Sequence, residues 1–352
     1  MKDSFGRTID YLRISITDRC NLRCRYCMPY GIEPVRHQDI LTYEEIREVA
    51  FAAAKLGIRH IKVTGGEPLT RLGCGKLVGM LKLVPGIRKV TLTTNGVLLN
   101  SFLDSLAEAG IDGINISLDT MDQACYQAIT GTDGLTQVIS GLEAALERKI
   151  PVKINAVSID WDLWRAKWEK MGEGCIREPW WKPVMELARE YPVHVRFIEM
   201  MPIGYGKNFK PLSQQDLLDE MRRKYPDIQR DNQVYGFGPA VYYRIPGFQG
   251  SIGFISAIHG KFCDRCNRIR LTARGYLKTC LCFEDGVDLK AVLRHGQGKE
   301  GESCLAGQED WEVRQNRLMR AMEEAIRQKP AAHCFEQPEQ MTEMHNMIDI
   351  GG

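Results

Sequence analysis

The sequence predicts an α/β architecture, an incomplete (βα)6 TIM-like barrel followed by a smaller C-terminal domain. Three observations carry this. Six short β-like runs are each followed by a longer helical pattern, the runs alternate apolar and polar residues, and the distinctive loops fall where the runs end. The runs span residues 10–17, 58–64, 87–94, 111–118, 150–157 and 193–199. Helical periodicity falls over about 42–56, 74–84, 98–109, 135–148 and 213–224. Thr42 and Glu45 form a capping box for the first helix, and Gly57 ends it.

Parallel strands covered on both faces read as continuous apolar runs, and these do not. Leu12, Ile14 and Ile16 lie opposite Arg13, Ser15 and Thr17, because side chains alternate along a strand. The same split sets Ile61 and Val63 against His60, Lys62 and Thr64, and Val90 and Leu92 against Thr91 and Thr93. It sets Ile114 and Ile116 against Asn115 and Ser117, Val152 and Ile154 against Lys153 and Asn155, and Val195 and Phe197 against His194 and Arg196. Helices pack on the apolar face, which leaves a polar lumen. Arg13, Lys62, Lys153 and Arg196 on that inner face call for an anion, since an unpaired buried cation costs several kcal/mol. The plainer alternative pairs them with Glu67, Asp119 and Glu199.

The chain has 352 residues, 44% hydrophobic and 26% charged, which suits a soluble protein of one large domain and a smaller one. No signal peptide or membrane span is evident, so a cytoplasmic protein is expected. A net charge of +2 argues against nucleic acid as partner and makes any anion site local. Twelve cysteines in two tight clusters and scattered singles favour metal ligation over disulfides.

The first cluster follows the first strand as Cys20-x3-Cys24-x2-Cys27. It offers three thiolates, where a closed zinc or four-iron site takes four ligands. Chance cysteines, or a zinc site completed from elsewhere, are the other readings. The spacing resembles the radical S-adenosylmethionine (SAM) superfamily, in which a [4Fe-4S] cluster keeps one iron open for SAM. The second strand leads into Thr64-Gly65-Gly66-Glu67-Pro68, whose glycines allow close backbone approach to a ligand. The third leads into Thr93-Thr94-Asn95-Gly96 and the fourth into Ser117-Leu118-Asp119.

The second cluster is Cys263-x2-Cys266-Asn267-Arg268-Ile269-Arg270, with Cys280 and Cys282 following. A zinc ribbon would use four of these sulfurs. Arg268 and Arg270, two apart in an extended run, instead share a face and suit phosphate or carboxylate. Here the chain resembles the GTP 3′,8-cyclases of molybdenum cofactor biosynthesis, over residues about 5–157 and 193–296 and the terminal glycines. The resemblance implies a radical SAM barrel over 1–212, a cluster-binding and substrate-binding domain over 213–329, and a tail over 330–352. It implies two [4Fe-4S] clusters, one on Cys20, Cys24 and Cys27 and one on Cys263, Cys266 and Cys280. SAM contacts fall on Tyr26, Gly66, Ser117 and Met201, and GTP contacts on Arg13, Lys62, Thr93, Lys153, Arg196, Arg268 and Arg270. Arg13, Gly351 and Gly352 are implied in catalysis.

The implied reaction is that of a lyase. A 5′-deoxyadenosyl radical takes hydrogen from ribose C3′, and the carbon radical attacks guanine C8, giving (8S)-3′,8-cyclo-7,8-dihydroguanosine 5′-triphosphate. The implied partners are a reduced flavodoxin- or ferredoxin-type donor and the downstream cyclic pyranopterin monophosphate synthase; a homodimer is left open. Cys282 departs from the family pattern and lies close enough to compete for the second cluster. Residues 158–192 replace a short link with a tryptophan-rich segment, in which Trp161, Trp164 and Trp168 at helical spacing read as core. Cys74, Cys125, Cys175, Cys304 and Cys334 read as isolated thiols, mostly small buried hydrophobes. The end from about Pro330 reads as a flexible tail, apart from the Gly351-Gly352 terminus. Two rival classes use the cysteines differently: a peptide-modifying radical SAM maturase leaves the Asn267-Arg268-x-Arg270 placement unexplained, and a redox sensor leaves the cationic lumen idle.

Overall fold

The computed structural model describes residues 1–33, 35–161, 179–295 and 310–351. Strands β1 (Tyr11–Ser15), β2 (His60–Thr64), β3 (Lys89–Thr94), β4 (Ile114–Ser117), β5 (Val152–Ser158) and β6 (His194–Glu199) lie side by side, parallel and in chain order. All six expected strands are present, with trimmed ends. Helices Tyr43–Lys55, Cys74–Lys82, Leu99–Glu108, Leu135–Glu147 and Trp181–Glu190 fill the crossovers. The capping box is made in both directions: Thr42 Oγ1 accepts from Glu45 N at 3.1 Å, and Glu45 Oε2 accepts from Thr42 N at 2.7 Å.

Period-two alternation becomes two environments. Leu12, Ile14, Ile61, Val63, Val90, Leu92, Ile116 and Ile154 are buried against helix residues such as Val49, Leu77, Leu103 and Val138. Along β5, buried and half-buried residues alternate over the whole strand.

The chain after residue 213 extends this sheet at both edges. Strands β7 (Gln229–Asp231), β8 (Val241–Arg244) and β9 (Ser251–Ile255) continue from β6, with β9 parallel to it. Strands β10 (Arg268–Leu271), β11 (Tyr276–Lys278) and β12 (Gly286–Asp288) continue from β1, with β10 parallel to it. The result is one 12-stranded sheet in the order β12-β11-β10-β1-β2-β3-β4-β5-β6-β9-β8-β7. The Arg268–Arg270 strand thus lies directly beside the first strand of the barrel.

Several elements differ from expectation. Helices at Gln123–Thr130 and Trp311–Arg327 form in addition to the expected ones. Asp122 caps the first by accepting from Cys125 N at 2.7 Å, and Trp311 of the second meets Phe51 edge-on at 5.8 Å. Within the tryptophan-rich segment, the second half is the crossover helix Trp181–Glu190. Its Trp181, Val184, Met185 and Ala188 are buried on one face, and Trp181 Nε1 donates to Glu220 Oε2 at 2.8 Å. Trp161 is core, packed near Trp180 and Met200. Trp164, Trp168, Cys175 and Cys304 lie outside the described residues. Cys74 and Cys125 are fully buried, as small hydrophobes are.

The expected flexible tail is instead packed. Phe335, Ile348 and Ile350 are buried with Ile203, Ala257 and Leu281, and buried Glu343 pairs with Lys278 Nζ. Apolar residues spaced too widely for a local period converge here on one patch, which only the folded chain creates.

Candidate active site

The lumen is a cavity of about 680 Å³ running from the C-terminal strand ends down between the strands. At its mouth three loops interlock. Cys27 N and Met28 N both donate to Cys24 O, at 3.0 and 2.9 Å, folding the cysteine loop into a tight turn. Arg23 N and Arg25 N tie that loop to Thr130 O and Ile129 O, at 2.8 and 3.0 Å, so the unforeseen helix Gln123–Thr130 anchors it. Glu67 fastens the second loop to the third, accepting from Leu69 N (3.0 Å), Thr94 Oγ1 (2.8 Å) and Asn95 N (2.6 Å). Asn95 Nδ2 then donates to Asn21 Oδ1 at 2.8 Å, back on the cysteine loop.

Gly65 and Gly66 have a local reason to be glycine. A Cβ on Gly65 would stand 2.8 Å from Thr17 O, and one on Gly66 only 2.3 Å from Arg19 O. The backbone of the second loop thus lies against the approach to Cys20, while Gly66 N donates to Thr17 O at 2.7 Å.

The carboxylates that could have neutralised the lumen cations are engaged elsewhere. Burial raises Glu67 to about 7 against the pull of its three donors. Asp119 accepts from Tyr26 Oη at 2.5 Å and Val157 N at 2.7 Å, and burial raises it to about 6. Glu199 accepts from Ile258 N, at 2.8 Å, and from the His259 ring.

The cations therefore face one another. In register, Arg13 lies between Lys62 of β2 and Arg270 of β10, and Lys153 of β5 lies beside His194 of β6. Burial drives Lys62 well below the ordinary lysine range, and Arg196, Arg13, Lys153 and Arg268 push the same way. Burial lowers Arg13 to about 10, and its Nε is buried without a hydrogen-bond partner among the described residues. Lys153 falls to about 8 through burial and then Arg196, and His194 to about 4 through burial and then Lys153 and Arg196. Arg196 keeps a neutral partner, donating from Nε and Nη2 to Asn155 Oδ1 at 3.0 and 2.6 Å. Such a chamber is built for a polyanion.

The second triad flanks this chamber. Cys266 N donates to Cys263 O at 3.2 Å in a single turn, and β10 follows at once. Arg7 holds that turn, donating from Nη1 to Cys263 O (2.8 Å) and Ala331 O (2.7 Å). Burial raises Cys266, but Lys329, Arg268 and Arg270 outweigh it and leave the thiol at about 7. Arg270 is driven well below its ordinary value by burial, then by Arg13 and Arg268.

Arg13, Cys20, Cys24, Tyr26, Cys27, Lys62, Gly66, Thr93, Ser117, Lys153, Arg196, Met201 and Arg268 all line the one cavity. Arg270, Cys263, Cys266, Cys280 and Gly351 stand outside its wall, and Gly352 lies outside the described residues. Sequence reasoning missed Tyr11 and the 235–239 loop as lining residues, and Arg7 as an anchor. Asn115, Asn155 and His194 were legible, since each occupies a lumen position of its strand.

Both triads suit a group larger than one ion. A single zinc, with Zn–S of about 2.3 Å, draws its sulfurs to about 3.8 Å apart. Among the described residues, neither triad has all three sulfurs within 4.8 Å of one another. Burial and mutual repulsion raise Cys24 well above the ordinary thiol range and Cys27 to about 12, so three thiolates here require a strongly cationic ligand.

Comparison with known proteins agrees with this geometry. The radical SAM superfamily matches residues 14–160, and Molybdenum Cofactor Synthesis C matches residues 193–335. A protein of Clostridium perfringens (strain 13 / Type A) named GTP 3′,8-cyclase is 37% identical over 353 residues, covering 100% of both chains. The chain belongs to the GTP 3′,8-cyclase family. The Moorella thermoacetica GTP 3′,8-cyclase is 43% identical over 302 residues, 84% of this chain and 88% of that one. A solved structure, Streptococcus suis SuiB bound to S-adenosylmethionine, shares the fold with a TM-score of 0.59 and 14% identity, covering 97% of this chain and 77% of that one. For a GTP 3′,8-cyclase family member, the triad-lined mouth and the cationic lumen of one cavity are the two features that bear on function. No described helix is long and apolar enough to cross a membrane.

Proposed function

We propose that this chain cyclises GTP to (8S)-3′,8-cyclo-7,8-dihydroguanosine 5′-triphosphate, the first step of molybdenum cofactor biosynthesis, using SAM and two [4Fe-4S] clusters. One observation carries the reading: Arg13, Lys62, Lys153, Arg196 and Arg268 line the same cavity as Cys20, Cys24 and Cys27, and the nearby carboxylates bond elsewhere. Among the described residues no carboxylate pairs with those cations, and a polyanionic substrate would balance them.

When bound, the cluster on Cys20, Cys24 and Cys27 supplies the electron that cleaves SAM to methionine and a 5′-deoxyadenosyl radical. The chain's own residues position the reactants. Lys62, Lys153 and Arg196 hold the triphosphate low in the lumen, which directs the ribose toward the cysteine loop. Arg13, with its free Nε, takes a substrate oxygen. Tyr26, Gly66, Ser117 and Met201, at the cavity mouth, line the place of SAM. Cys263, Cys266 and Cys280 would hold the second cluster, with Arg268 reaching from that side into the cavity. A reduced flavodoxin- or ferredoxin-type protein would supply electrons, and cyclic pyranopterin monophosphate synthase would take the product.

Anaerobic reconstitution with iron and sulfide, then incubation with SAM, reductant and GTP, tests this. Appearance of 5′-deoxyadenosine together with a cyclised guanosine triphosphate supports it. SAM cleavage that is indifferent to GTP, with no cyclised nucleotide, sinks it.

A further inference from the structure

We infer that Cys282 and Cys334 form a thiol–disulfide exchange site that fastens the C-terminal segment beside the second cysteine triad. The two sulfurs stand 3.1 Å apart, and the residues are 52 positions apart in sequence. Cys334 N also donates to Cys282 Sγ at 3.2 Å, so backbone as well as side chain holds the pair in register. Neighbouring His333 N points to a different sulfur, Cys263 Sγ, at 3.5 Å. Two consecutive backbone donors thus divide the sulfurs of this region into two sets. One is the triad of Cys263, Cys266 and Cys280; the other is Cys282 with Cys334.

Cys282 is wholly buried in the patch with Ile203, Phe335 and Ile350, while Cys334 is partly exposed. That asymmetry assigns the roles. The thiolate of Cys334 attacks an external disulfide such as oxidised glutathione, releasing one thiol and forming a mixed disulfide. Cys282 Sγ then attacks the Cys334 sulfur, its proton passing to the second thiol as that thiol is expelled. Two protein thiols are oxidised by two electrons, one disulfide is reduced to two thiols, and both protons leave with those thiols. An S–S bond of about 2.05 Å requires the sulfurs to close by only about 1 Å.

In a reducing compartment the pair stands as two thiols and closes under oxidative load. The closed form ties the connection after Cys280 to the segment that carries Ile350 and Gly351 inward. This is independent of the reaction proposed above.

The test uses the iron-loaded full-length enzyme, titrated anaerobically with oxidised glutathione, alkylated, digested and mapped by mass spectrometry. We expect a Cys282–Cys334 cross-linked peptide to form before any other pair, with two alkylatable thiols lost per chain and restored by dithiothreitol. Limited proteolysis within residues 336–350 should slow at least tenfold in the cross-linked form. Cys282→Ser and Cys334→Ser should each abolish the cross-link and keep the parent's iron content. Loss of second-site iron in Cys282→Ser with Cys334→Ser unaffected would make Cys282 a cluster ligand and overturn the inference. So would a cross-link that joins Cys334 to Cys263 or Cys280, or a Cys334 that stops at the glutathione adduct. The mapping on the parent protein needs no variant, so a misfolded serine variant leaves the test intact.

Discussion

Arg270 Nη1 donates to the Gly351 carbonyl oxygen at 3.4 Å, joining the arginine strand of the second triad to the end of the chain. Gly351 adopts φ +85°, and a Cβ there would sit 3.4 Å from Ser15 Cβ on the first strand. Gly351 therefore packs against the C-terminal ends of β1 and β10, at Ser15 and Leu271, on the strand that carries Arg13 and its neighbour. Deleting residues 351–352 should leave both clusters assembled and SAM cleavage measurable while abolishing cyclised GTP. Iron analysis, 5′-deoxyadenosine and the cyclised nucleotide are scored on one preparation, and normal product formation would refute the role.

Lys62→Met tests the uncompensated lumen. Removing a buried cation surrounded by cations should stabilise the ligand-free protein by about 1–3 kcal/mol. The same change should weaken GTP binding by about 10–100-fold, since a charged hydrogen bond contributes about 1.5–3 kcal/mol. Thermal melts with and without GTP report both effects. A destabilised ligand-free variant with unchanged affinity would show that Lys62 is a structural residue.

Lys153 makes a pH prediction with a definite sign. Its pKa is lowered to about 8 in the folded chain, by burial and then Arg196, from 10.5. Between these values the unfolded chain binds more protons, so stability rises with pH from about 8 to 10.5 and is lost again as pH falls through 8. GTP binding runs the other way, since it requires the charged amine and weakens above about pH 8. Lys153→Met should flatten both profiles, and parallel melting curves for parent and variant across pH 7–10 would exclude the effect.

Gly66→Ala should act on the cysteine loop before it acts on any ligand. Its Cβ would stand 2.3 Å from Arg19 O and 2.6 Å from Asp18 O, both backbone atoms, so the loop that carries them must shift. We expect a stability loss of about 2–4 kcal/mol and roughly half the parent's iron, with the first triad emptied and the second retained. Mössbauer or iron assays on this variant beside a Cys20→Ala control distinguish loop displacement from lost SAM contact.

The strands and their two faces were legible because period-two alternation is a local property. Arg13, Lys62, Lys153 and Arg196 could be assigned to the lumen from parity alone. The interlocked loops were half legible: Glu67 stood out as an acid after a Gly-Gly turn, but its bonds to Thr94 and Asn95 depend on which strand ends lie adjacent. The tail was illegible, because Phe335, Ile348 and Ile350 have no period of their own and find their partners in Ile203 and Leu281, distant in sequence.

The sequence by itself determined the chemistry on offer: two cysteine triads, a set of inward cations and a family motif around Arg268 and Arg270. Tertiary structure decided where these meet. Strand β10 lies parallel beside β1 and brings Arg270 level with Arg13, while Cys282 turns to Cys334. Spacing along a strand dictates which side a residue faces, since the backbone repeats every two residues. Which strands become neighbours depends on long-range burial and sheet pairing, and no short window of sequence contains that information.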